Sequence, residues 1–212
     1  MILQRNPIEP TRVRGIYPRY IVFLLYHLLS IFCILGLCGC KDTNTKTTFD
    51  FNAIDLSGTD GYSVVQCYPG KYVYDITVPD TWQGLPVLSI ESEAFDDRII
   101  HSIDVGCVET ISPRSFAYCT ELRTVSLRNV VSIGHDAFES CLRIENITIP
   151  KTVSDIGDRA FLACESLKTV YFEGNPICLG VELFSNGVHI FGPAGGNVEK
   201  YARDNGLLFT AI

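Results

Sequence analysis

The sequence predicts a solenoid of stacked turns, and three recurring features support this prediction. The first is a phenylalanine at spacings of 21, 22, 23 and 23 residues, namely Phe95, Phe116, Phe138, Phe161 and Phe184. The second is an isoleucine, or Leu179 in the last copy, five residues before each phenylalanine. The third is an alternating apolar pair further along, as at Val170 and Phe172. Residues that recur at a fixed period indicate one structural unit repeated along the chain.

A period of 21–23 residues is typical of leucine-rich repeats, in which each turn contributes one short strand. The alternating pair predicts that strand, because successive side chains of a strand point to opposite faces. Stacked turns place equivalent residues in columns, so we expect the phenylalanines to form one buried column. The predicted fold class is a leucine-rich repeat solenoid, α/β or mainly β, with a parallel sheet on one face.

A cysteine follows three of the phenylalanines by three residues, at Cys119, Cys141 and Cys164. We expect these cysteines to be buried free thiols, since an interior cysteine behaves as a small apolar residue. A disulfide between neighbouring turns is the alternative, although parallel side chains rarely reach the dihedral angle it needs. The sequence alone does not determine whether Cys67, Cys107 and Cys178 are free or bonded.

The repeat "VVSIGHDAFESCLRIENITIP" resembles the BspA-like leucine-rich repeats of bacterial surface proteins. The stretch "DITVPDTWQGLPVLSI" is similar to the opening turn of that family, and "GPAGGNVEKYARDNGLLF" is similar to its closing helix and strand. We expect Asn197 to cap this helix and Gly206 to end it. The resemblance covers residues 62–212 and implies three parts: an opening turn at 62–86, repeats at 87–193, and a closing helix and strand at 194–212. It also implies a role in attachment to host proteins or to other cells.

Residues 1–39 are predicted to be a lipoprotein signal peptide. Four arginines precede "IVFLLYHLLSIFCILGL", an apolar run of 17 residues that leads to "LCGC". This pattern resembles the bacterial lipoprotein signal, in which the last cysteine, here Cys40, becomes the acylated amino terminus. An uncleaved anchor is the alternative, because 17 apolar residues are marginally enough to span a membrane. Residues 40–61 are predicted to be a solvated tether, with the protein held outside the cytoplasm at the bacterial outer membrane or cell surface.

The charge balance and the absence of certain motifs argue against several classes of function. From Cys40 onward the chain has 13 basic and 23 acidic residues, which argues against nucleic acid as a partner. The sequence contains no nucleophile elbow, no zinc-binding spacing of histidine and cysteine, and no phosphate-binding loop. We therefore predict neither an enzyme nor a cofactor or metal site.

Outward-facing strand residues supply the predicted ligand site. If Val125 and Leu127 point inward, Arg128 belongs to the solvent-facing side of the sheet. Later turns carry larger groups on the same side, so the predicted site comprises Arg128, Tyr171, Glu173, His189 and Phe191. Aromatic and arginine side chains are frequent anchors in interfaces, which favours a protein or glycan ligand centred on Tyr171. Two alternatives stay open: the closing segment covers these aromatics, or the protein is a structural or envelope-assembly lipoprotein without a host ligand.

Overall fold

The computed structural model describes residues 48–56, 59–68, 74–185 and 187–212. The predicted signal peptide and its acylation site, Cys40, lie outside these ranges. Within them, no helix combines the length and the apolar character needed to cross a membrane.

The described elements are two long strands, a series of shorter strands, one helix and a last strand. In chain order they are β1 (Thr48–Leu56), β2 (Thr59–Tyr68), β3 (Asp75–Thr77), β4 (Thr81–Trp82), β5 (Leu85–Ile90), β6 (Ser102–Asp104), β7 (Thr110–Ile111), β8 (Thr124–Ser126), β9 (Ser132–Ile133), β10 (Asn146–Ile149), β11 (Asp155–Ile156), β12 (Thr169–Phe172), β13 (Cys178–Leu179), β14 (His189–Gly192), α1 (Asn197–Asp204) and β15 (Leu208–Ala211).

The predicted solenoid is confirmed, and its turns are joined by parallel sheets on two sides. On one side, here called the isoleucine side, the order is β2-β5-β7-β9-β11-β13. The second side consists of β3-β6-β8 followed by β10-β12-β14-β15. The sequence predicted the second side from the alternating apolar pairs. It did not predict strands on the isoleucine side, where most of the strands are only two residues long.

The phenylalanine column is confirmed and extends over five turns. Neighbouring rings are stacked with centroids 4.7 to 5.7 Å apart, and four of the five rings are fully buried. This spacing is close to the distance between parallel strands, so the column follows directly from stacking the turns in register. The apolar strand residues pack beside it, with Leu127 buried and Val125 partly buried.

A third ladder of backbone hydrogen bonds joins the turns beside this column. Around Phe138, Asp136 and Ser140 have φ angles of 56° and 58°, and the equivalent residues of other turns share this left-handed conformation. The amide of Phe138 donates to the carbonyl of Ala160 at 2.8 Å, and the amide of Ser140 donates to Leu162 at 2.9 Å. Residues with side chains adopt positive φ only at a cost, so hydrogen bonds to the next turn hold them there.

The recurring cysteines complete each turn through their thiols. Cys119 Sγ donates to the carbonyl of Phe95 at 3.0 Å, one turn upstream. Cys141 and Cys164 repeat this bond to Phe116 and Phe138 at 3.2 Å. All three are buried, as predicted, and burial raises the pKa of Cys119 and of Cys164 to about 12. A residue at this position must therefore be small, tolerate burial and donate one hydrogen bond, which a cysteine does.

The folded region begins earlier than predicted. The tether prediction for 40–61 is wrong for its second part, because β1 pairs antiparallel with β2 and β2 pairs parallel with β5. The ring of Phe49 contacts Phe95 edge to face at 6.4 Å and so continues the aromatic column. The first turn of a solenoid exposes an apolar edge, and this hairpin covers it.

The closing helix was predicted correctly at its end and incorrectly at its start. Gly206, with φ 66°, ends α1, and the amide of the following residue bonds back to Ala202. Asn197 does not cap the helix, since Gly196 holds the N-cap position. The side chain of Asn197 instead donates to two carbonyls of the preceding turn, and Asn175 accepts from a free amide at the helix start. The closing helix is thereby fastened to the repeat before it.

We expect Phe138→Ala to lower the free energy of unfolding by about 3–5 kcal/mol, because the ring is buried between two others and its loss leaves a cavity. Urea denaturation followed by circular dichroism measures this change. Tyr118→Ala is the matched control, since that ring is 41% exposed and its loss should cost about 1 kcal/mol or less. An unchanged midpoint for Phe138→Ala would contradict the stacked column.

Thiol labelling tests the cysteine column. At pH 8 in the native protein, iodoacetamide should modify the exposed Cys178 and spare Cys119, Cys141 and Cys164, whose burial raises the thiol pKa and blocks access. Denaturant should make all of them reactive. Mass spectrometry of the digested protein gives the modified fraction at each site. Rapid native labelling of Cys141 would show that the column is not closed.

Candidate functional site

Three of the predicted site residues form one aromatic cluster on the second side. Tyr171 lies on β12 and stacks on Phe191 of β14, with ring centroids 4.7 Å apart. His189 stacks on the same phenylalanine at 4.3 Å. Strand pairing brings them together, because Tyr171 and Phe191 are register partners on adjacent parallel strands. We call these three residues the ring cluster.

Glu173 lies beside this cluster and Arg128 does not. Glu173 directly follows β12, two residues after Tyr171, and is exposed. Arg128 follows β8, and β10 intervenes along the chain before β12. Its guanidinium forms an ion pair with Asp104 on β6, in the preceding turn. The structure therefore does not bring Arg128 to the ring cluster, because an acidic side chain on the neighbouring strand holds it.

The closing strand does not cover the aromatic rings. Instead, β15 extends the sheet beside β14, with Leu208 opposite His189 and Thr210 opposite Phe191. The imidazole Nε2 of His189 lies 2.9 Å from the hydroxyl of Thr210, a hydrogen bond that holds the ring in place. Tyr171 keeps 38% of its surface exposed. The alternative of a closing segment folded over the aromatics is not realised.

One face of the Tyr171 ring is open. Its other face is against Phe191, while its register partner on the opposite side is Thr148 of β10. A threonine side chain is too short to cover an aromatic ring. The outward column thus changes from small residues, Ser126 and Thr148, to a large one, Tyr171, and the change leaves a step in the surface. In the described part of the chain, no further ring or cation packs on that open face.

The polar side chains around this step have no partner among the described residues. Asn146, Thr148 and Glu173 are exposed, and no hydrogen bond or ion pair engages their side chains there. Some polar groups on this side are paired, including Ser102 with Asp75 at 2.6 Å and Lys168 with Glu145 at 3.1 Å. We call the outward surface of β8, β10, β12, β14 and β15 the polar face. Its unpaired groups include Asn146, Thr148 and Glu173 at the step beside Tyr171, as well as Thr124 and Ser126 of β8.

Among the residues whose burial is described, the most buried carboxylate, Asp136, has a structural role. Asp136 accepts from Arg159 at 2.9 and 3.0 Å and lies 3.1 Å from His135 Nδ1. The hydrogen bond from Arg159 holds the pKa of Asp136 below its usual range, although burial acts in the opposite direction. Because Asp136 and Arg159 occupy the same position in successive turns, the pair ties one turn to the next.

The remaining cleft and polar clusters of the described region do not present an arrangement of reactive or metal-binding side chains. A cleft of about 460 Å³ lies between α1 and the last turns, lined by residues that include Phe184, Tyr201 and Leu207. The hydroxyl of Tyr201 there accepts from the amide of Leu183 at 2.9 Å, so it is already engaged. No group of histidine, cysteine or carboxylate side chains within the described ranges is arranged to hold a metal ion.

Comparisons with known proteins agree with this architecture. Residues 88–191 match the family model described as "BspA type Leucine rich repeat region (6 copies)". A leucine-rich repeat protein from Bacteroides capillosus is 28% identical, with a TM-score of 0.51, over 63% of this chain and 98% of that one. A leucine rich cell surface protein from Faecalibacterium prausnitzii is 24% identical, with a TM-score of 0.49, over 69% of this chain. The alignment spans only 45% of that longer protein. No curated protein is similar enough to count as a match.

The stacked turns, their parallel strands and the buried columns define a leucine-rich repeat protein. Within it, residues 88–191 are similar to the leucine-rich repeat region of the BspA type.

We expect Asp136→Asn to be less stable than the wild type at neutral pH and equally stable in strong acid. The folded-state pKa of Asp136 lies below that of the unfolded chain, so its stabilising effect is complete above the usual aspartate range. The effect is lost as pH falls through the lowered pKa.

Urea midpoints measured from pH 7 to pH 2 follow this change. Asp204→Asn, at an exposed ion pair, serves as the control and should show a smaller difference. A gap between Asp136→Asn and wild type that is the same at every pH would contradict this role.

Proposed function

We propose that the protein is a lipid-tethered, extracytoplasmic leucine-rich repeat protein that recognises an external ligand through its polar face. The observation that supports this most strongly is the step beside Tyr171, where an open aromatic face and unpaired polar side chains occur together. A protein gains little stability from exposing such groups, whereas a ligand can bind them. The role is one of adhesion or recognition and not of catalysis.

The solenoid suits recognition because stacked strands build an extended surface from one residue position per turn. The ring cluster adds rigidity to this surface. Phe191 and the hydrogen bond between His189 and Thr210 hold the rings before any ligand arrives. A binding group that is already ordered loses less entropy on association, which favours tighter binding.

The proposed location of the protein outside the cytoplasm is inferred from its amino-terminal sequence. Four arginines, the apolar run and the Gly39-Cys40 pair that follows it support export and acylation at Cys40. A tethered domain would then present its solenoid outside the cytoplasm, at the outer membrane or the cell surface. A structural or envelope-assembly lipoprotein without an external ligand would share this tether, and ligand-binding measurements separate the two.

We expect labelled palmitate to enter the wild type and to be absent from Cys40→Ala, because the thiol of Cys40 is the proposed acceptor. Cells grown with the label and immunoprecipitation of the protein provide the measurement. Cys38→Ala is the matched control, since it removes a neighbouring thiol and should leave labelling intact. Equal labelling of wild type and Cys40→Ala would overturn the lipid tether.

We expect Tyr171→Ala to weaken ligand capture from extracellular-matrix proteins or envelope extracts by about tenfold, because it removes the central ring of the cluster. Arg128→Ala should weaken capture less, since Asp104 already holds that guanidinium. Thermal melting must show that both variants stay folded. Capture that survives Tyr171→Ala, or that is lost only through unfolding, would remove the polar face as the site.

A further inference from the structure

We propose that the ligand of the polar face is a neutral glycan, one sugar ring of which packs on the open face of Tyr171. This inference rests on the proposed function and specifies the class of ligand. It follows from the shape of the step, from the hydrogen-bonding groups around it and from the distribution of charge.

The step has the shape that a sugar ring requires. Tyr171 forms its wall and Thr148, the register partner on β10, forms its floor. One face of a pyranose ring presents several C–H groups, whose hydrogens carry a small positive charge. An aromatic face carries negative charge density, so the two surfaces attract when they stack. Because Phe191 supports the other face of Tyr171, this wall is ordered in advance.

The polar groups at the step match the hydroxyl groups of a sugar. The amide of Asn146 donates and accepts, the hydroxyl of Thr148 does both, and the carboxylate of Glu173 accepts. Each lies on an outward position of β10 or directly after β12, within two residues of the floor or of the wall. Sugar hydroxyls are both donors and acceptors, so they can satisfy all three side chains. None of the three has a partner elsewhere in the described part of the chain.

The charge distribution favours an uncharged ligand. Arg128 and Lys168, which flank β8 and β12, each form an ion pair with an acidic side chain. Lys151, two residues after β10, is exposed and has no ion pair within the described residues. The carboxylate of Glu173 has no such partner and would repel an anionic sugar. From Cys40 onward acidic residues outnumber basic ones by 23 to 13, which also disfavours sulfated or uronic glycans.

The same surface is poorly suited to a protein partner. A stable protein interface buries about 800 Å² on each side and has an apolar centre. Here the apolar surface consists of the ring cluster and the exposed Leu208 opposite His189. The outward positions of the next strands upstream are Asn146, Thr148, Thr124 and Ser126. A single sugar ring with its hydroxyl groups fits an aromatic wall surrounded by short polar side chains.

Binding to immobilised glycans tests the inference. The full-length protein, in a detergent without a sugar headgroup, is passed over cellohexaose, laminarihexaose and mannohexaose, with heparin and hyaluronan as anionic probes. We expect binding to at least one neutral hexasaccharide and none to the anionic probes. Tyr171→Ala should weaken it about tenfold, Tyr171→Phe should retain it, and Glu173→Gln should weaken it moderately.

Tyr118→Ala is the matched control, because it removes another exposed tyrosine from a different side of the turn and should leave sugar binding unchanged. Failure of every neutral glycan to bind, or equal binding by Tyr171→Ala, would overturn the inference. Capture of a protein that survives enzymatic deglycosylation and is lost in Tyr171→Ala would also overturn it. That last result would leave the proposed recognition through the polar face in place, so the two proposals fail separately.

Discussion

The structure depends on one constraint, which is that each turn repeats the backbone path of the turn before it. Backbone hydrogen bonds join successive turns on the isoleucine side, on the second side and beside the phenylalanines. Stacking in register then places equivalent side chains above one another at about the spacing of parallel strands. The phenylalanine column, the thiol bonds to upstream carbonyls and the recurring left-handed residues all follow from this repetition.

This constraint also separates the residues that build the solenoid from those that are free to differ between turns. Interior positions repeat because each must fill the same space and satisfy the same backbone groups. Outward positions of the second side face no such demand, and they change from short polar residues to the ring cluster near the carboxyl-terminal end. A binding surface can therefore vary from turn to turn while the fold stays the same.

The sequence predicted correctly those residues that recur at a fixed period, because such residues occupy equivalent positions in successive turns. The buried positions of Phe138 and Cys141 could be predicted because the period itself implies a column. The predictions were wrong where the position of a side chain depends on one contact with a residue from another turn. Asn197 bonds to the preceding turn and does not cap its helix, and Arg128 bonds to Asp104 and does not reach Tyr171. The hairpin of β1 and β2 was missed because it lies outside the periodic region, although it covers the first turn.

By itself the sequence determined the solenoid, the two interior columns and the glycine that ends the closing helix. These features depend on periodicity and on local backbone preference, and both can be recognised from the order of residues alone. Only the tertiary structure decided which polar groups stay unpaired and which face of Tyr171 stays open. Those properties depend on the strand register that sets Thr148 and Phe191 on opposite sides of one ring. Register relates residues of different turns, so it exists only once the turns are stacked.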